Sequence, residues 1–148
     1  MEPKPKSEFY QAVGRRKEST ARVRLTISPK ELMIKGKSYK KGDIVVNDIA
    51  ASDYFRGKIY PQLYTHPFKI TETQGRFITT VKVEGGGISG QLQAMMHGIA
   101  RSLEKIDKEK YRPILKREGL LKRDPRTKER RKAGFAQKAR AKKQSPKR

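Results

Sequence analysis

The sequence predicts an α+β domain, built as a single mixed sheet with helices packed on one face, followed by an extended basic C-terminal tail. Apolar and polar residues alternate in two separate stretches, which is typical of half-buried strands. A later stretch repeats its apolar residues at helical spacing. The last 27 residues hold 13 basic and two acidic side chains and, apart from Phe135, lack large apolar ones. Such a segment buries too little surface to offset the entropy of ordering, so we expect it to order on a partner.

The first predicted strand covers residues 21–27. Its apolar residues occupy the odd-numbered positions, while Arg22 and Arg24 lie on the opposite, exposed face. Residues 14–20, just before this strand, combine a flexible glycine with three adjacent cations and hydroxyl groups, so we predict that they contact RNA; a solvated loop is the alternative. A small hairpin follows at residues 32–39, where a glycine in the turn supplies the positive φ that such turns favour.

The apolar spacing in the middle of the chain predicts helices followed by strands. Residues 47–64 have helix-compatible apolar spacing interrupted by Gly57 and Pro61, so we expect short helices joined by irregular chain. Residues 68–71 and 77–84 then predict two antiparallel strands joined by a turn. The second of these strands alternates between apolar and polar residues along most of its length.

A glycine-rich turn at residues 85–90 precedes the strongest helical pattern in the sequence. We predict Ser89 as the N-cap of this helix, and Gly98 as the point where the helix packs closely against the sheet. The apolar positions that define the helical period are Leu92, Met95, Met96, Ile99, Leu103 and Ile106.

These elements predict one domain with one core. Residues 9–121 form the globular domain, residues 1–8 a short disordered leader, and residues 122–148 the tail. The leader contains no apolar segment of the kind found in secretory signals. We therefore expect the protein to act in the cytoplasm or an equivalent compartment.

The charge balance predicts a polyanionic partner. The 148 residues include 37 Lys and Arg against 15 Asp and Glu, a net charge of +22, and nucleic acid is the first candidate for neutralising it. An anionic membrane surface is the second, but a mean hydropathy of −0.90 and the lack of a long apolar run exclude a spanning helix, and we expect no membrane partner. The sequence has no cysteine and only two histidines, His66 and His97, so we expect no metal, no cofactor, no small-molecule substrate and no enzymatic activity.

The glycine-rich turn between a strand and a helix leaves one enzymatic alternative open. Backbone amides at such a turn can hold phosphate, which would suit a nucleotide-using enzyme. However, no Lys followed by Ser or Thr comes after the glycines, and their spacing does not fit dinucleotide binding. We interpret the turn as structural, and we interpret His97 as a packed or RNA-facing histidine.

Predicted RNA contacts fall into two groups, one around the first strand and one in the tail. Cations beside a flexible glycine and hydroxyl groups suit phosphate oxygens, and small residues between the tail cations let the chain follow a crowded phosphate path. Pro125 is predicted to stiffen the exit from the domain, and Asp124 to organise a local turn with nearby backbone or an arginine. The predicted contacts are Arg15, Arg16, Lys17, Arg22, Arg24, Arg123, Arg126, Lys128, Arg130, Arg131, Lys132, Lys138, Arg140, Lys142 and Lys143.

Several separated motifs carry a family likeness. They occupy residues 10–23, 85–91, 97–101 and 121–126, together with the closing pair Lys147 and Arg148. In order and spacing, from about residue 9 to the C-terminus, they resemble the ribosomal protein S9 family of the small subunit, of the bacterial type. This resemblance implies a fold like the second domain of ribosomal protein S5.

The same resemblance implies a place in the ribosome. It implies binding to 16S-type rRNA in the head of the small subunit, beside neighbouring head proteins. It also implies that the tail reaches the anticodon stem-loop of the P-site tRNA, with Lys147 and Arg148 as the tRNA contacts. The family commonly has an aromatic residue and a serine before this closing pair, and Ser145 and Pro146 stand there instead.

Two further departures lie within the domain and at its end. Met96 stands where an arginine is usual, and Lys122 where a threonine is usual.

A general RNA chaperone or a DNA-compacting protein is the remaining alternative to a ribosomal protein, because either would share the basic charge.

Overall fold

The computed structural model describes residues 9–27 and 31–140. Within these residues the chain forms seven strands and four helices, which confirms the α+β class. In chain order they are β1 (Phe9–Arg16), β2 (Ser19–Thr26), β3 (Glu31–Ile34), β4 (Lys37–Lys40), β5 (Ile44–Val46), β6 (Ile49–Ala50), α1 (Ala51–Tyr54), α2 (Tyr60–Ile70), β7 (Ile78–Glu84), α3 (Ile88–Ile106) and α4 (Lys108–Arg117).

The main sheet is mixed and has five strands in the order β1-β2-β7-β5-β6. Only the pairing of β5 with β7 is parallel; the other neighbours are antiparallel. The predicted hairpin is present, but β3 and β4 form a separate two-stranded sheet, so the prediction of a single sheet is wrong in this respect. The hairpin lies against the main sheet, where Tyr39 joins a small buried cluster with Val45 and Ile78.

The main core lies between the sheet and α3. Residues of one sheet face, such as Val23 and Val81, are buried with Met95, Ile99 and Leu103 of the helix. Burying such side chains contributes about 1.5–3 kcal/mol each. The helical period predicted for this segment is confirmed, because its apolar positions are the ones that are buried or half-buried.

Close contact between α3 and the first two strands depends on two glycines. A Cβ atom on Gly98 would lie 2.6 Å from Cγ2 of Val23, and one on Gly14 would overlap the carbonyl oxygen of Ala94. The predicted close packing at Gly98 is therefore confirmed. The prediction that Gly14 is flexible is wrong, because this glycine lies buried inside β1, where its missing side chain lets the helix approach.

The predicted strand at residues 68–71 is also wrong. Residues up to Ile70 belong to α2, in which Tyr64 and Phe68, four positions apart, are both buried on one face. Pro61 lies in the first turn of this helix, where a missing N–H costs little, so it does not interrupt the helix as predicted. Gly57 does separate α1 from α2, with a φ of 144°.

The start of α3 and the segment that follows the helix differ from the prediction, whereas its end at Ile106 agrees with the predicted period. The helix is preceded by Gly87 as N-cap, and no side chain caps it, so the predicted cap at Ser89 is wrong by two residues. Beyond its C-terminal end lies α4, which the sequence reading missed. Asp107 caps α4 by accepting a hydrogen bond of 3.0 Å from the backbone N–H of Lys110. Asp is a preferred N-cap residue, so its presence here could have indicated the start of this helix.

Candidate nucleic-acid interface

The sheet face that α3 does not cover carries a strip of basic side chains. Arg22 and Arg24 of β2 are exposed, as predicted from the alternation, and Lys82 of β7 lies directly opposite Arg22. Like charges opposite each other on neighbouring strands repel. A bound anion would relieve that repulsion, so this strip is suited to phosphate.

Arg24 is held in place by its neighbours on β1. Its Nε donates to Oε1 of Gln11 over 2.9 Å, and its guanidinium lies 5.2 Å from the ring centre of Phe9. An arginine stacked on an aromatic ring keeps most of its N–H donors available. The same sheet face forms one wall of a cleft of about 310 Å³, whose other wall includes Leu32, Met33 and Ile34 of the hairpin; basic and apolar walls together suit unpaired nucleotides.

The turn between β1 and β2 places its three predicted cations differently. Arg15 and Lys17 are exposed, and Lys17 adopts a positive φ of 50° in the turn. Arg16 is instead buried, with 8% of its surface exposed. The turn therefore presents two of the three cations to solvent.

Arg16 makes its contacts inside the protein. Its Nε donates to Oε1 of Gln93 over 2.6 Å, its Nη1 donates to the carbonyl oxygen of Arg126 over 2.6 Å, and its Nη2 lies 3.0 Å from Oδ2 of Asp124. The guanidinium thus joins α3 to the first residues of the tail. The structure gives this arginine a structural role that its place in the sequence did not suggest.

Asp124 organises the start of the tail, as the sequence predicted. Its carboxylate accepts bonds from the backbone N–H, Nε and Nη2 of Arg126. These hydrogen bonds, together with the charges of Arg126 and Arg16, hold the pKa of Asp124 well below its usual range. The carboxylate is thus ionised at neutral pH and can pair with both arginines.

Three side chains of α3 bond the outer edge of β1. Unpaired edge groups are a template for unwanted strand pairing, and charged side chains protect them. The three helix residues are four positions apart, and the three strand residues that they bond are two positions apart. Each set therefore lies on one side of its own element. The bonds run from the backbone N–H of Arg15 to Nδ1 of His97 (3.4 Å), from Nη1 of Arg101 to the carbonyl oxygen of Val13 (2.6 Å) and from Nζ of Lys105 to the carbonyl oxygen of Gln11 (2.7 Å).

His97 is a packed histidine, one of the two readings that the sequence left open. Because Nδ1 accepts from Arg15, the neutral ring carries its hydrogen on Nε2, which lies 3.3 Å from the carbonyl oxygen of Leu121. Burial lowers the pKa of His97, and the charges of Arg101 and Arg123 lower it further against the opposing effect of the Leu121 bond. The neutral ring therefore links β1 to the end of the domain.

The described part of the tail has neither helix nor strand. Its predicted contacts Arg123, Arg126, Lys128, Arg130, Arg131, Lys132 and Lys138 are exposed. Arg140 is also exposed, but it forms a two-point ion pair with Glu129, with Nε 3.0 Å from Oε2. Exposed pairs of this kind contribute little to stability. The remaining predicted contacts, Lys142, Lys143, Lys147 and Arg148, lie outside the described residues.

The glycine-rich turn packs against the β1–β2 turn. Ser19 Oγ and Gln91 Nε2 each donate to the carbonyl oxygen of Gly85 over 3.1 Å. A Cβ atom on Gly86 would overlap Ser19 Oγ. The glycines therefore serve close packing, which supports the structural interpretation of this turn.

Sequence reasoning missed Gln93, Arg101, Lys105 and Lys82. The four-residue spacing of His97, Arg101 and Lys105 was visible, but their target on β1 depends on a fold contact between distant segments.

Within residues 9–27 and 31–140, no helix is long and apolar enough to cross a membrane. The same residues contain no group of three His, Asp or Glu side chains placed to hold a metal ion.

The fold and these surfaces define a class: a small, strongly basic α+β protein with cations along one sheet face and along a C-terminal extension. The chain matches the family described as Ribosomal protein S9/S16 over residues 14–148, and it belongs to that family. The predicted family is thus confirmed. Because members are ribosomal proteins, which are structural, the prediction that the protein is not an enzyme is confirmed as well.

Two curated relatives illustrate the similarity. The Small ribosomal subunit protein uS9 of Leifsonia xyli subsp. xyli is 45% identical over 124 residues, which cover 84% of this chain and 67% of that protein. The protein of the same description from Maridesulfovibrio salexigens is 44% identical over 127 residues, which cover 86% of this chain and 88% of that protein.

Proposed function

We propose that this protein is a structural constituent of the small ribosomal subunit that binds 16S-type rRNA in the head of the subunit. The observation that carries the proposal is the family match over residues 14–148, together with two relatives that are named as small-subunit proteins. The site of action would be the cytoplasm, inside the assembled subunit and beside neighbouring head proteins.

The domain would dock by its basic sheet face. Arg22, Arg24 and Lys82 supply adjacent positive charges on rigid strands, and strands place phosphate contacts more accurately than loops do. Arg15 and Lys17 extend this surface at the end of β1. Recognition of this kind reads the backbone and shape of folded RNA more than its base sequence.

The tail would add reach. Its exposed cations from Arg123 to Lys138, continued by Lys142 and Lys143, would lie along rRNA phosphates and release counterions as they neutralise them. If about ten phosphates are engaged, affinity falls by orders of magnitude between low and moderate salt. Arg140 could join them by exchanging Glu129 for a phosphate, because an exposed ion pair is easily replaced.

The end of the chain would contact tRNA. Lys147 and Arg148 are the proposed contacts with the anticodon stem-loop of the P-site tRNA, on the basis of the family resemblance. Pro146 restricts the backbone just before them. A contact between cations and phosphates is independent of sequence, so it would serve every tRNA alike.

Sedimentation with small subunits tests the proposed function. The protein should sediment with 16S-type rRNA in the subunit fraction at raised salt. Duplex DNA added in about tenfold excess by mass should fail to displace it. Displacement by duplex DNA would favour the DNA-compacting alternative. Recovery as a free monomer that ignores added rRNA would contradict the proposal.

A further inference from the structure

We propose that Arg15, Arg101 and Arg123 form a binding site for a single phosphate group, and that this group belongs to the rRNA backbone. The inference rests on the proposed function and deepens it, since it names one anchoring site on the domain. The site joins three separate segments: the end of β1, the middle of α3 and the stretch just after Leu121.

The three arginines line one open cleft. The cleft has a volume of about 450 Å³ and is lined by Val13, Arg15, His97, Arg101, Leu121 and Arg123. All three arginines are exposed, so an RNA strand can reach them. A phosphate group is small enough for such a cleft and presents several acceptor oxygens to the guanidinium groups.

The charge in the cleft has no internal counter-charge. None of its lining residues is acidic. Asp124, the next residue along the chain, is already engaged by Arg16 and Arg126. Three guanidinium groups around one cleft repel one another, and an anion bound between them removes that cost.

Arg101 is held ready for such an anion. Its Nη1 donates to the carbonyl oxygen of Val13 over 2.6 Å, which fixes the guanidinium against the edge of β1. A guanidinium carries five N–H donors, so this bond leaves most of them available. An arginine that is already ordered loses less entropy when it binds phosphate than a mobile one does.

His97 positions the site without binding the phosphate itself. It bonds the backbone N–H of Arg15 and the carbonyl oxygen of Leu121, so it connects two of the segments that bring arginines to the cleft. Its lowered pKa, caused by burial and by the charges of Arg101 and Arg123, favours the neutral form that makes both bonds. Loss of the ring would separate these segments.

Binding of the full-length protein to a 16S-type rRNA head fragment, measured over a range of KCl concentrations, tests this site. Arg123→Gln removes one charge from the cleft, and Arg101→Lys keeps the charge but loses the planar guanidinium. Each should weaken binding by about tenfold, and Arg123→Gln should lower the salt slope by about one. Arg117→Gln, an exposed arginine at the end of α4, is the matched control and should change neither value.

The outcomes separate the two proposals. Wild-type affinity and slope in both cleft variants, with no response of the cleft arginines to inorganic phosphate, would overturn the phosphate site while leaving rRNA binding intact. Failure of the wild-type protein to bind would instead contradict the proposed function. Titration with inorganic phosphate, followed by the NMR signals of arginine Nε groups, separates RNA from free phosphate: saturable shifts at Arg101 and Arg123 without any effect of the variants on RNA affinity would overturn the assignment to RNA.

Discussion

The Nη2 atom of Arg16 lies 3.0 Å from Oδ2 of Asp124, and this contact fixes how the tail leaves the domain. Arg16 is buried at the end of β1, and Asp124 lies three residues after Leu121. The carboxylate also holds Arg126, while Arg16 bonds the carbonyl oxygen of that same residue. Arg16, Asp124 and Arg126 thus set the direction in which the chain continues after Leu121.

The first prediction concerns this junction. Asp124→Asn keeps the size of the side chain but removes the charge that compensates buried Arg16, so it should lower Tm and loosen the start of the tail. Limited trypsin digestion should cut faster at Arg123 and Arg126 than in the wild-type protein. Glu129→Gln, which affects only an exposed ion pair, is the control and should leave both Tm and cleavage rate at the junction unchanged. Equal cleavage in all three proteins would remove the junction's proposed role.

The second prediction concerns the contact between α3 and the sheet. Gly98→Ala should destabilise the protein by about 3 kcal/mol, because the added methyl would lie 2.6 Å from Val23 Cγ2 and must move packed atoms. Urea denaturation measures the change. Gly87→Ala is the matched control, since nothing lies within 4 Å of its added Cβ and its φ of −113° suits any residue. A loss below about 1 kcal/mol for Gly98→Ala would contradict the close packing.

The sequence predicted the features that depend on local periods. The arginines on the exposed face of β2 follow from alternation, and the buried positions of α3 follow from helical spacing. Phe68 begins a short run between turn residues, a pattern that predicts a strand, while its helical partner Tyr64 lies outside that run. Tertiary packing of both side chains then favours a helix.

Features that depend on contacts between distant residues could not be predicted. Arg16 lies among cations in the sequence and looks like a surface residue. Its partners Gln93, Asp124 and Arg126 lie 77 to 110 positions away, and the fold brings them together only after β1, α3 and the end of the domain have packed. The same holds for Arg101, whose acceptor on Val13 is 88 positions away.

The third prediction concerns pH. The pKa of His97 is lowered by folding, so the unfolded chain binds a proton at a higher pH than the folded protein does. Stability should therefore fall as pH decreases below the ordinary value of 6.5. Burial and the charges of Arg101 and Arg123 oppose protonation of the ring, and the third charged group in the same cleft, Arg15, is also a cation.

Urea denaturation at pH 7.5 and pH 5.5 measures this loss of stability, because the two values lie roughly one unit on either side of the unfolded pKa. His97→Gln should reduce the loss of stability between the two, because the titrating group is gone. His66→Gln in α2 is the matched control and should leave the loss as in the wild-type protein. An unchanged pH dependence in His97→Gln would show that another group is responsible.

The fourth prediction concerns the end of the tail. Deleting residues 145–148 removes Lys147 and Arg148, the proposed tRNA contacts, but keeps the domain and most of the tail cations. Subunits reconstituted with the truncated protein should therefore assemble normally and lose affinity for P-site tRNA by about tenfold or more, because both charged contacts are lost. Filter binding of tRNA to the purified subunits measures this. The control is the double variant Lys142→Gln with Lys143→Gln, which removes the same charge upstream and should leave tRNA affinity higher than the deletion does. If the deletion leaves tRNA affinity at the wild-type level, the tail does not reach tRNA, and its cations serve rRNA alone.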